Sequence, residues 1–204
     1  MGGMLHLTRR EITLAVQSYE VDHTQRYGHL FSPHQLDGLR RASVMIPMFE
    51  FEHEWHVLLT QRSESLVEHR GQVAFPGGAR DPQDADLCQT ALREMQEEIG
   101  VDPAHVHVFG HLGDMPVVTG YLVRPYVGQI PWPYELHLSS DEVKSAFTVP
   151  LAWLADPKNR QLQYRNYAGR EIPVVFFKPF DGHQLWGASA EMTLALLSAL
   201  HLND

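Results

Sequence analysis

The chain has 204 residues, 44% of them hydrophobic and 20% charged, an ordinary globular composition long enough to bury a core. Its net charge of -9 argues against general nucleic-acid binding, and no run reaches the ~18 apolar residues of a membrane span. The single cysteine, Cys88, precludes an intrachain disulfide and fits a reducing compartment; without a signal-peptide core at the N-terminus, the cytoplasm is the expected location.

Residues 8–22 read as an opening helix. Thr8 and Glu11 make a capping box, and Ile12, Val16 and Tyr19 recur at helical spacing. Residues 28–37, with Pro33, read as a linker, so residues 1–36 are expected to form an N-terminal helical extension, which could also serve a homodimer. Strands are expected at 42–51 and 56–61 around a polar turn at Glu52-His53-Glu54. A loop from Ser63 to Arg70 precedes a short strand near 72–75, which runs into Pro76-Gly77-Gly78. A helix over 86–99 takes Asp84 or Asp86 as its cap, with Cys88, Leu92, Met95 and Ile99 on its core side. Strands at 105–112 and 119–130 lead to a proline-rich loop, PWPYELHLSS. Ser139, Ser140, Asp141 and Glu142 then have the composition of a helix N-terminus. Strand-like segments recur near 146–150, 161–167 and 171–178, and 187–201 read as a final amphipathic helix. Alternating strands and separated helices argue for an α/β sandwich. The thirteen histidines show no metal-ligand spacing and read as surface or satisfied core residues.

Glu94, Glu97 and Glu98 fall three and four residues apart, which places them on one helix face. Like charges at that spacing destabilise a helix by a few tenths of a kcal/mol per pair. A solvated charged face is the bland explanation. A compensating hard divalent cation is the other, because Mg²⁺ is commonly held by carboxylates beside substrate phosphates. Gly77-Gly78, just before, lets backbone approach a ligand closely.

Residues 77–101 resemble the Nudix box. Gly78, five intervening residues, Asp84, then Arg93, Glu94, Met95, Glu97, Glu98, Gly100 and Val101 follow the family order. The chain departs from the pattern in carrying Asp84 where the family has Glu, and eight residues between it and Arg93 rather than seven. The resemblance covers roughly residues 40–200 and implies a Nudix hydrolase domain over 37–204, with a mixed β-sheet sandwiched between α-helices. It also implies hydrolysis of a diphosphate bond with Mg²⁺ or Mn²⁺, using Gly78, Glu94, Glu97 and Glu98 as metal ligands. Arg93 is expected either to orient a Glu by a bidentate pair or to make an ordinary helix ion pair with Glu97. The general base is expected to be a box glutamate, Glu94 or Glu97, or an acid on a later loop, for which Glu142 is the candidate beside Asp141.

The segment LLTQRSESLVEHRGQVAFPGG, residues 58–78, looks like the signature of the coenzyme A pyrophosphatase branch of that family. It matches at Leu58, Leu59, Thr60, Arg62, Ser63, Gly71, Phe75, Pro76, Gly77 and Gly78, and departs at Val67, where the signature has Arg. The branch implies a coenzyme A-like nucleotide cleaved to 3′,5′-ADP and 4′-phosphopantetheine. Arg62 and Arg70 are the candidate phosphate contacts, since a guanidinium grips phosphate oxygens in a fork. The rival expectations are a Nudix hydrolase of ADP-ribose or NADH, and a nucleotide-binding regulator without turnover.

Overall fold

The computed structural model describes residues 7–21, 31, 33–64, 71–167 and 169–203. Helix α1 (Arg9–Gln17) is capped as its sequence requires, Thr8 accepting from the Glu11 amide while the Glu11 carboxylate takes the Thr8 amide. Helix α2 (Pro33–Asp37) stands where a linker was expected. The sheet starts with β1 (Arg40–Phe51), β2 (Glu54–Arg62), β3 (Val73–Ala74) and β4 (Gly77–Ala79). Helix α3 (Leu87–Ile99) follows, then β5 (His107–His111), β6 (Met115–Val117), β7 (Tyr121–Gln129) and β8 (Val143–Pro150). Helix α4 (Leu151–Ala155), the hairpin β9 (Arg160–Tyr167) and β10 (Arg170–Phe177), and helix α5 (Gly187–Ala199) complete the chain.

Eight strands form one mixed sheet, with β1 running parallel to β7 and antiparallel to β2 and β4. β1 changes partner along its length: residues 42–44 pair with β4, and 48–51 pair with β2. Pro47 lies between those two ladders, so its missing N–H costs a bond to neither. The turn between β1 and β2 has Glu52 and His53 at φ 50° and 66°.

Side chains of β1 and β2 alternate between two cores, as the period of a strand requires. Ile46, Met48, Val57 and Leu59 face α1, α4 and α5, where they meet Ile12, Val16, Leu151, Leu154, Leu196 and Leu197. Met45, Phe49 and Leu58 face α3 and meet Leu87, Ala91, Met95 and Ile99. The sheet is thus sandwiched between helices, the expected α/β architecture. Cys88 is half-buried against the second core, and burial raises its thiol pKa, so it is no ready nucleophile.

Three differences from the sequence reading have simple causes. Residues 139–142 form a turn rather than a helix start, because Val143 onward is drawn into β8 against β2. β6 and α4 were not anticipated; each is too short for periodicity to mark it. Helix α5 is buried on most sides rather than amphipathic, with Ala190, Met192, Thr193, Ala195, Leu196, Leu197 and Ala199 all inside. Among the described residues no helix is long and apolar enough to cross a membrane.

A charged clamp ties β1, β7 and the segment before β6. Asp114 accepts Arg124 Nε at 2.6 Å and Nη2 at 3.0 Å in a bidentate pair, and Arg41 at 2.9 Å. Burial alone would raise the Asp114 pKa, but the hydrogen bonds from Arg124 and Arg41 outweigh it and hold the carboxyl below its ordinary value. A depressed carboxylate stabilises the fold above its unfolded value of 3.8, and that contribution is lost as pH falls through the lower folded value. Asp114→Asn is therefore expected to be less stable than the parent at neutral pH. The difference should narrow below pH 4, as read by thermal melts across pH 2.5–7.

Candidate functional site

Helix α3 carries the acidic face, and its two ends are fixed by the local sequence. The Asp86 carboxylate caps the start by accepting the Gln89 amide at 2.8 Å. Gly100 ends the helix at φ 75°, where a side chain would be strained and its Cβ would meet His137 at 2.8 Å. The apolar side of the helix is seated on the sheet, which turns Arg93, Glu94, Glu97 and Glu98 toward β4 and the end of β2.

Arg93 is the hub of the face. Its Nε and Nη2 make a bidentate pair with the Asp84 carboxylate at 3.0 Å each. Its Nη1 donates to Glu94 and to Glu97 at 2.9 Å each. The ion pair expected with Glu97 is present, whereas the bidentate partner is Asp84 and not the expected glutamate. Asp84 is 4% exposed and also accepts from Thr90 Oγ1 at 2.9 Å and the Asp81 amide at 2.9 Å. The Arg93 hydrogen bonds hold its carboxyl far below the ordinary range. The extra loop residue before the helix thus leaves Asp84 a place in the network.

Glu94 and Glu98 are pushed the other way. Burial raises the Glu94 pKa, opposed by Arg93, with Glu97 and Glu142 adding repulsion. Burial pushes Glu98 up to about 8; Arg62 opposes the shift and Glu142 adds to it. Glu98 is 2% exposed, its Oε1 has no hydrogen-bond partner, and Arg62 Nη1 stands 3.9 Å away. The Gly77 amide donates to Glu98. A buried carboxylate with an unmatched oxygen is a group whose charge a bound cation could satisfy. Among the described residues no three His, Cys, Asp or Glu side chains already converge on one metal-sized point. The cause is visible in the contacts: Arg93 draws Glu94 and Glu97 along the helix, while Glu98 turns to Arg62 and β4.

Gly78 explains the glycine requirement. A Cβ there would fall 2.5 Å from Glu94 Oε1, so only hydrogen lets β4 and the carboxylate share the space. Glu142 reaches the face through backbone stitching rather than a helix. Ser139 N–H donates to the Glu98 carbonyl at 2.9 Å, and Ser63 N–H donates to the Glu142 carbonyl at 2.8 Å. Those bonds pair a free carbonyl at the end of α3 and bring the turn to the end of β2. Arg62 is half-buried, with its Nε unpartnered, between Glu98 and a cavity of about 470 Å³. Gly77 and Gly78 edge that cavity, and Val117, Ile172, Val174, Trp186 and Met192 form apolar walls. Sequence reasoning missed this cavity, whose walls come from distant segments. Arg70 and Val67 lie outside the described residues.

A mixed sheet between helices thus carries a glycine-edged acidic helix face beside a cavity, the elements that a divalent cation next to a phosphate-bearing ligand would require. The NUDIX domain family matches residues 39–169, and the chain belongs to that family. The chain is 43% identical over 147 residues to the Uncharacterized Nudix hydrolase NudL of Citrobacter koseri, covering 72% of this chain and 70% of the relative. It is 41% identical over the same shares to the protein of that name from Escherichia fergusonii. Among solved structures, a MutT/nudix family protein from Enterococcus faecalis matches 96% of this chain and 75% of its own, with a TM-score of 0.53 at 13% identity, a likeness of fold. The chain is a Nudix hydrolase, of a family that acts on nucleoside diphosphate derivatives and generally needs a divalent cation such as Mg²⁺ or Mn²⁺.

Gly78→Ala tests the shared space. The clashing atoms belong to the end of a flexible side chain, so the melting temperature is expected to stay within a few degrees while the Glu94 carboxylate is displaced. Turnover should then fall by about tenfold or more, since a small misplacement at a catalytic centre is costly.

Proposed function

We propose that the chain hydrolyses the diphosphate bond of coenzyme A or a derivative, giving 3′,5′-ADP and 4′-phosphopantetheine. The observation that carries the reading is the junction at Gly77-Gly78. There β4, which lies against Glu94 and donates to Glu98 of α3, also edges, together with Arg62, an apolar cavity whose size suits a small-molecule ligand. The segment from Leu58 to Gly78 supports the coenzyme A branch, because four of its signature residues, Arg62, Phe75, Gly77 and Gly78, line that cavity.

In this reading Glu94, Glu97, Glu98 and the Gly78 carbonyl hold the divalent ions. Bound Mg²⁺ or Mn²⁺ offsets the diphosphate charge and lowers the pKa of water. Arg93 holds Glu94 and Glu97 on one face while Asp84 fixes the guanidinium from behind. The unpartnered Nε of Arg62 and its position between Glu98 and the cavity suit a guanidinium that takes a phosphate oxygen. Glu142 acts within electrostatic reach of Glu94 and Glu98 and, with the box glutamates, is a candidate to accept the proton of the attacking water. Arg70 is proposed as a second phosphate contact on sequence grounds alone. Val67, where the branch signature has Arg, supports a second reading in which ADP-ribose or NADH is the substrate.

Turnover of coenzyme A, ADP-ribose and NADH, each with Mg²⁺ and with Mn²⁺, separates these readings by product chromatography. The expected outcome is 3′,5′-ADP from coenzyme A well ahead of cleavage of the other two; preferential cleavage of ADP-ribose or NADH overturns the coenzyme A assignment. Glu97→Gln is expected to lower turnover by about two orders of magnitude with the fold intact by circular dichroism. Near-parental turnover in the folded variant would remove Glu97 from the metal site.

A further inference from the structure

Among the described residues, the β9–β10 hairpin forms a small sheet of its own, apart from the eight-stranded one. At its base it is well anchored. Phe177 is buried, Phe176 stacks on Trp186 with centroids 5.4 Å apart, and the Phe177 amide donates to the Leu185 carbonyl at 2.8 Å. Eight residues per strand carry the tip about 25 Å from that base. Leu162 and Tyr164 on the outer face are 55% and 62% exposed, and Tyr167 on the opposite face is 45% exposed, so little packing holds β9 down. Toward the other side, Ile172, Pro173, Val174 and Val175 of β10 line the cavity.

Near the tip, Tyr167 Oη donates to the Val118 carbonyl at 2.8 Å. Val118 lies in the turn between β6 and β7, and Val117, Val118 and Thr119 line the same cavity. The bond therefore joins two walls that are far apart in sequence. The second wall is itself secured from below, since Asp114, just before β6, is clamped by Arg41 and Arg124. One wall is thus fixed, and the other is a long ribbon tied to it near its free end.

We propose that Tyr167 is a positioning residue for substrate binding, its hydroxyl latching the β9–β10 hairpin to the β6–β7 turn and so holding Ile172 and Val174 against the part of the substrate that extends from the diphosphate. The apolar walls mean that this part is uncharged and largely apolar along its contact with the hairpin. Tyr167 touches no group on α3, so the latch governs affinity and not the bond-breaking step. The proposal rests on the reading that substrate occupies this cavity.

The test uses the full chain and Tyr167→Phe, which removes one exposed hydroxyl and leaves the ring in place. Loss of the latch is expected to speed amide hydrogen exchange at 117–119 and 170–175 by about fivefold in the unliganded protein. With the substrate that wild-type cleaves fastest, KM is expected to rise by about fivefold with kcat unchanged. Tyr167→Ala should move both quantities further in the same direction. Unaltered exchange shows that the bond does not hold the hairpin and overturns the latch. Faster exchange with unaltered KM shows that the walls do not bear on substrate, and overturns the positioning role. A fall in kcat with KM unaltered likewise overturns it. Failure of the functional reading is distinguishable: wild-type would then cleave none of the nucleotides, while the exchange measurement still reports on the latch.

Discussion

The structure of the site depends on one guanidinium. Helix α3 carries three glutamates within five residues, an arrangement that repels itself, and Arg93 lies against two of them. Arg93 can serve both because Asp84 grips its other edge in a bidentate pair. The fork geometry matters here, since a lysine in the same place could not hold Asp84 with two parallel bonds and still reach two glutamates. Glu98, which the guanidinium does not reach, is left with burial, Arg62 and the Gly77 amide, and its carboxyl rises accordingly.

That network is presented by the sheet. β1 exchanges β4 for β2 along its length, with Pro47 at the change, and this brings the glycines of β4 under Glu94 while β2 carries Arg62 to Glu98. The same two strands carry core residues on both faces, so the site is set on a rigid element rather than on a free loop. The loop that follows β7 closes the arrangement. It borrows the unpaired carbonyls at the end of α3 through His137 and Ser139, and delivers Glu142 beside the acidic face.

The cavity belongs to the other side of the sheet and is built differently. Its edge near α3 is made of glycines and Arg62, and its far walls come from β6, β10 and the start of α5. Under the proposed function, the division matches the demands of a substrate that carries a highly charged diphosphate beside less polar parts. The charged end needs fixed ligands, while the remainder needs apolar area and a wall of suitable shape.

Much of this was legible in the chain itself. The capping box of α1, the extent of α3, the strands from β1 to β10 that are long enough to show a period, and the grouping of Glu94, Glu97 and Glu98 all follow from local spacing, because a helix turn or a strand pleat places near neighbours by geometry alone. Other features depended on tertiary structure. Asp84 reaches Arg93 only because the loop before α3 folds back; residues 139–142 become a turn because β2 claims the strand that follows; and α5 is buried on most sides because its neighbours enclose it. The Tyr167 to Val118 bond joins residues 49 apart in the chain, and the cavity gathers segments from Ala42 to Met192. Local spacing carries no record of such pairings, since they are settled by which surfaces meet when the two cores pack.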